Sequence, residues 1–290
     1  MSDDVSMIHH PPALPARPQH GHKGTFKRVL IVAGSDEMPG AAVLAGLASL
    51  KMGAELVQVA TSDRALLVAH TIAPELVGLN LDRPRWRKRL ASGASQADAI
   101  VLGPGLGQED RADAIVREVL PVEKRAVIDA DALNLLAQRR RWPRRIGLRA
   151  VLTPHPGEML RLGRLIGRDE VPTDDVGRLG IAVEAARVFQ QIVLLKGNRT
   201  VITDGTRAYV NETGDSSLSK AGTGDVLAGM LGTLLAQMDD PLDAACLAAH
   251  LHGRAGEIAG QSSGPRCVLA RDVIDALPQA IHPASRSETP

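Results

Sequence analysis

Arg28-Val29-Leu30-Ile31-Val32-Ala33-Gly34 is a strand that ends in a glycine turn. Val29 to Ala33 are apolar on both faces, as expected of a central parallel strand covered by helices on each side. Further strands are expected at Leu56–Ala60, Ala99–Leu102, Ala126–Asp129, Ala150–Leu152, Ile192–Lys196 and Thr200–Thr203. The first six of the seven runs are followed by a turn signal, namely Gly34, Thr61, Gly103, Asp131, Pro154 and Gly197, and Ala/Leu-rich helical segments lie between them. This alternation predicts an α/β fold, an open and mostly parallel sheet with helices on both faces. Ligands of such sheets sit beyond the carboxyl ends of the strands, so chemistry is sought in the residues just after each run.

No linker breaks the pattern, which predicts a single domain over 23–281 between a loose His/Pro-rich tail (1–22) and a second tail (282–290). The chain has 290 residues, 44% of them hydrophobic, enough for a large core. Thirty-four Lys and Arg against 33 Asp and Glu give a net charge of +1, which offers no field for a nucleic acid. No apolar run is long enough to span a membrane. Two cysteines, Cys246 and Cys267, form neither a zinc motif nor a disulfide framework, so a cytoplasmic enzyme is expected.

Ala221-Gly222-Thr223-Gly224-Asp225 opens a segment whose apolar residues 227, 230, 231, 234 and 235 have helical spacing. Its glycines leave backbone N–H groups at a helix N-terminus free to meet an anion such as a transferring phosphoryl group. Beside such an anion Asp225 suits a base acting on a hydroxyl; its other reading is a helix cap. Lys196-Gly197-Asn198-Arg199-Thr200 joins two strands and can offer an ammonium and a hydroxyl to a nucleotide phosphate, or form a plain hairpin. GxxxxGK[ST] is absent, which excludes a P-loop NTPase. Gly103-Pro104-Gly105-Leu106-Gly107 departs from GxGxxG and reads as a wall for a ligand or a tight turn. In Thr153-Pro154-His155-Pro156-Gly157-Glu158, Glu158 either opens a helix or helps place a hydrated Mg2+. Asp131 is expected to cap the helix that follows it, which leaves Asp129 for a ligand. Arg139 to Arg145 reads as a solvated helix end.

Together HKG (22–24), AGSDEMPGAA (33–42), GPGLG (103–107), DADALN (129–134), TPHPGE (153–158), KGNRTVI (196–202) and AGTGDVLAG (221–229) resemble the ADP-dependent NAD(P)H-hydrate dehydratase family of the ribokinase-like superfamily. The resemblance spans residues 22 to about 281. It implies repair of hydrated NADH or NADPH: ADP phosphorylates the ring hydroxyl, and elimination of phosphate restores the double bond. By the same resemblance Asp225, Gly222 and Gly224 are catalytic. Lys196, Gly197, Asn198, Arg199, Thr200 and Gly224 hold the nucleotide, while Ala42, Gly105, His155 and Asp225 meet the hydrated substrate. Glu158 helps place Mg2+, and the assembly is a homo-oligomer, a tetramer. Some family members carry an additional epimerase domain, and that activity is not expected here. A small-alcohol kinase of the same superfamily and a non-catalytic adenylate sensor are the alternatives.

Overall fold

A computed structural model describes residues 5–18, 20, 26–139 and 146–282. Among them ten strands form one sheet. In chain order these are β1 (Ser6–Ile8), β2 (Arg28–Val32), β3 (Leu56–Thr61), β4 (Val77–Asn80), β5 (Ala99–Leu102), β6 (Arg125–Ile128), β7 (Arg149–Leu152), β8 (Ile192–Leu195), β9 (Val201–Thr203) and β10 (Arg207–Val210). Across the sheet they run β1-β10-β9-β8-β7-β6-β5-β2-β3-β4. From β8 to β4 every pair is parallel; β9 runs antiparallel to both its neighbours. The chain leaves β2 toward β4, then returns to place β5 on the other side of β2. That reversal opens a crevice between the ends of β2 and β5.

The two-sided apolar pattern of the strands has a direct structural meaning. Val29 and Ile31 enter the core beneath α1 (Pro39–Lys51), α8 (Thr223–Gln237) and α9 (Pro241–Ser263), whereas Leu30 and Val32 enter the core on the opposite face. Val101, Val127 and Val151 repeat the first orientation; Ile100, Leu102, Ile128 and Leu152 repeat the second. Period-two alternation with both faces buried is what makes these strands continuous hydrophobic runs.

Small residues let α8 lie directly on its neighbours. A Cβ at Gly229 would stand 2.0 Å from the Ala45 carbonyl oxygen of α1, and one at Gly232 would stand 2.4 Å from a Val101 methyl. At the same contact the Ser49 and Thr233 hydroxyls are 2.7 Å apart and fully buried, satisfying one another in an otherwise apolar seam. The N-terminal end of α8, where Asp225 sits, is therefore held by a tightly packed rod.

The expectation of a loose tail over 1–22 is corrected where residues are described. Ser6 donates its N–H to Thr206 O at 2.9 Å, and Ser6–Ile8 pair in parallel with β10. Ile8 and Leu14 pack against the core, and the Arg17 guanidinium lies 3.9 Å from the Phe26 ring centroid. Three residues show no readable period; an open sheet edge supplied the order instead. The 22–24 motif, residues 140–145 of the basic cluster and the tail after His282 lie outside the described residues. Arg139 pairs with Asp113 at 3.0 Å. No described helix is long and apolar enough to cross a membrane.

Candidate active site

The ends of β6, β7 and β8 lie side by side, so residues far apart in sequence meet just beyond them. Lys196 Nζ stands 2.8 Å from Asp129 Oδ1 and 3.8 Å from Glu158 Oε2. Asp129 and Glu158 are almost wholly buried. Burial by itself would lower the Lys196 ammonium, but Asp129 and Glu158 outweigh it and hold its pKa above the ordinary value. The lysine is a fixed cation at the floor of the crevice.

The glycine segment arrives above this floor. Gly222 adopts φ +90° and precedes the first turn of α8 without a side-chain cap. Among the described residues the amides of Gly224 and Asp225 have no hydrogen-bond partner, so two donors and the positive end of the helix face outward. A Cβ on Gly224 would lie 3.7 Å from Lys196 Nζ, which puts the lysine beside these donors. The Thr223 hydroxyl ties the loop by donating to Leu218 O and Lys220 O, both at 2.8 Å.

Asp225 itself accepts no hydrogen bond from a described residue and is half-buried. Burial first, then the charges of Asp129 and Asp131, push its carboxyl up to about 7, against the opposing pull of Lys196. A carboxylate poised near neutrality is matched to taking a proton from an alcohol. The capping reading is excluded for Asp225, because the position before the helix belongs to Gly222.

All of Lys196, Gly197, Asn198, Arg199 and Thr200 border, with Gly224, a cavity of about 490 Å³ that also meets Thr213, Asp215 and His252. The residues expected to hold a nucleotide are thus brought together. Larger hollows of about 780 and 670 Å³ open at the opposite, amino-terminal ends of the strands around Arg149 and contain none of the expected site residues.

Of the residues expected to meet substrate and metal, Ala42, Gly105 and Glu158 are closely packed and His155 is half exposed. Ala42 is completely buried, its methyl 2.9 Å from where a Gly34 Cβ would be, so its side chain lines no open space. Gly105 is buried at φ +59°, and a Cβ there would lie 2.7 Å from that of Ala41. The small-residue segments 34–42 and 103–107 pack on each other, joined by the Gly34 N–H donating to Pro104 O at 2.8 Å. His155 caps α6 (Pro156–Gly163): its Nδ1 accepts the Gly157 N–H at 3.0 Å, while its ring stays half exposed beside the crevice. Burial, then Lys196 and Arg161, lower its pKa, which favours the neutral ring.

Glu158 completes the cap by accepting the His155 N–H at 2.8 Å, with its other oxygen 3.4 Å from His155 Nε2. Burial raises its pKa. With both oxygens engaged it is a poor direct metal ligand, and among the described residues no three His, Cys, Asp or Glu side chains form a metal-holding group. The carboxylates present still suit a hydrated Mg2+ carried in by phosphates, an ion that keeps several waters and typically needs only one or two protein carboxylates. Asp131, expected to cap α5 (Ala130–Ala137), instead accepts the Gly107 N–H at 3.0 Å and a hydrogen bond from Gln108 Nε2 at 3.1 Å; Asp129 occupies the cap position but makes no capping bond, its carboxylate being turned to Lys196. Asp131 therefore fastens the 103–107 loop next to Asp225.

His252 carried no sequence signal, being one of two histidines on a largely apolar helix. It is buried, pushed down to about 4 by that burial, and stands 2.9 Å from Thr223 O. A neutral ring against a carbonyl carries its proton on Nε2, so His252 steadies the helix opening from below.

The family model described as NAD(P)H-hydrate dehydratase matches residues 29–279. A bifunctional NAD(P)H-hydrate repair enzyme of Moorella thermoacetica is 40% identical over 92% of this chain, and the chain spans about half (52%) of that relative's length. The crystal structure of the ADP/ATP-dependent NAD(P)H-hydrate dehydratase of Bacillus subtilis, co-crystallised with ATP/Mg2+, is 35% identical with a TM-score of 0.78, covering 92% of this chain and 93% of that one. A ribokinase-like superfamily protein of Enterococcus faecalis aligns over 96% of both chains with a TM-score of 0.80 at 25% identity. The match of the family model over residues 29–279 shows that this chain belongs to the NAD(P)H-hydrate dehydratase family.

Proposed function

We propose that the chain is a carbon–oxygen lyase that removes water from the S form of hydrated NADH or NADPH, consuming ADP and releasing AMP and phosphate. Asp225 takes the proton of the ring hydroxyl as its oxygen attacks the terminal phosphorus of ADP; the bond from that phosphorus to the bridging oxygen breaks and AMP leaves. Loss of phosphate from the phosphorylated carbon and of a proton from the adjacent carbon then forms the ring double bond. The Gly224 and Asp225 amides, with Lys196, receive the charge of the moving phosphoryl group. Residues 196–200 hold the nucleotide, and the hydrated ring lies against the 103–107 loop within reach of His155. Magnesium, when bound with the nucleotide, neutralises polyphosphate charge. The observation that carries this reading is the raised Asp225 carboxyl directly beside two helix amides that have no partner among the described residues.

The family resemblance supports a homotetramer, and two free cysteines, one buried and one exposed, support a reducing, cytoplasmic setting. The test is to incubate the protein with hydrated NADH, Mg2+ and ADP and to follow near-ultraviolet absorbance. Return of the NADH band with equimolar AMP is expected. A stable phosphorylated product without that band would make the protein a kinase, and ADP binding without turnover would make it a sensor.

A further inference from the structure

One buried cation has no place in the chemistry above. Arg178, on α7 (Asp175–Phe189), is only 7% exposed and makes no ion pair with any described carboxylate. Its guanidinium is spent on carbonyls of a single loop. One terminal nitrogen donates to Leu195 O and Lys196 O, both at 3.4 Å; the other donates to Asn198 O and, at 3.2 Å, to Arg199 O. Five fixed N–H groups in one plane suit such a multiple grip, which a lysine cannot reproduce.

The consequence follows from peptide geometry. In a trans peptide the N–H points opposite to the preceding carbonyl. With the carbonyls of Lys196, Asn198 and Arg199 turned toward Arg178, the amides of Gly197, Arg199 and Thr200 are turned away from it. Among the described residues these three amides have no hydrogen-bond partner, and their residues border the 490 Å³ cavity. Successive outward amides make an anion-binding concavity. Gly197 shows how closely the guanidinium fits: a Cβ there would stand 2.7 Å from Arg178 Nη2.

We propose that Arg178 is a positioning residue for the nucleotide: from beneath the loop it sets the amides of residues 197, 199 and 200 to receive the anionic part of ADP. The inference rests on the functional reading above and adds to it a residue that itself touches no ligand.

The test compares wild type with R178K, R178Q and R178M, measuring ADP–Mg2+ affinity by calorimetry and the two KM values and kcat in the absorbance assay. R178M and R178Q are expected to weaken ADP binding and raise its KM about tenfold or more, with R178K intermediate. The KM for hydrated NADH and kcat at saturating ADP should stay within about threefold. R178K keeps a buried cation that reaches fewer carbonyls, so it decides the matter if the other two variants do not fold. Unchanged ADP affinity in folded variants, or a common fall of kcat with both KM values altered alike, overturns the inference while the dehydratase reading stands. A wild type that does not bind ADP overturns the functional reading, and this one with it.

Discussion

Asp225 and Lys196 lean on each other electrostatically, and that coupling sets the pH behaviour. Because the Asp225 carboxyl is raised to about 7, the fraction of active base grows as pH rises through that value. We expect kcat/KM for the hydrate to climb through neutral pH and then level off; a rate flat from pH 5.5 to 9 would contradict it. Lys196 pulls the Asp225 pKa down, so K196M should move this acidic limb to higher pH as well as slow turnover. A pH–rate profile of that variant checks the direction. Asp225 was legible in the sequence because its partners, the glycine amides, are its chain neighbours. The Lys196–Asp129 pair was not, since its members are 67 residues apart and meet only through the order of β6, β7 and β8.

Along α8 the glycines do two different jobs. Gly229 has no room for a methyl group, with the Ala45 carbonyl 2.0 Å from the ideal Cβ, so G229A should cost about 3 kcal/mol or more through overpacking and a displaced helix. Gly224 has room, its nearest neighbour being Lys196 Nζ at 3.7 Å. G224A should therefore keep the unfolding temperature but lower kcat/KM, by roughly 10²-fold if the phosphoryl group is displaced by an ångström. Thermal unfolding and steady-state kinetics on the two variants separate the roles. The helix itself was readable from the spacing of its apolar residues; which glycine packs and which leaves space was not, because that depends on α1 and the sheet. The same limit applied to Ala42 and Gly105, whose small size lets the 34–42 and 103–107 segments pack closely on each other.

At the level of the whole molecule the central strands were legible because both their faces are buried, which leaves an unbroken apolar run. The margins were not. β1 is three residues long, β4 contains a glycine, and β10 is a four-residue run that opens on an arginine, so none rises above its surroundings in sequence. Placing a base in the crevice also has a cost for the fold as a whole. The folded state binds the Asp225 proton more tightly than the unfolded chain, with a carboxyl at about 7 against 3.8. Stability from this group thus falls as pH rises from about 4 to about 7. D225N removes that dependence, and its unfolding temperature should gain on wild type steadily across this window and by a constant amount above it. Calorimetric scans at pH 5, 6, 7 and 8 measure the gap; a gap that shrinks as pH rises would show that the carboxyl is not raised.

D225N also puts the central claim to its most direct trial, through single-turnover kinetics with hydrated NADH, ADP and Mg2+ alongside calorimetric ADP binding. If the carboxylate takes the hydroxyl proton while the neighbouring amides hold the phosphoryl group, the rate of AMP release falls by roughly 10²- to 10⁴-fold while ADP affinity is kept. A D225N protein that releases AMP at the wild-type rate would contradict the account.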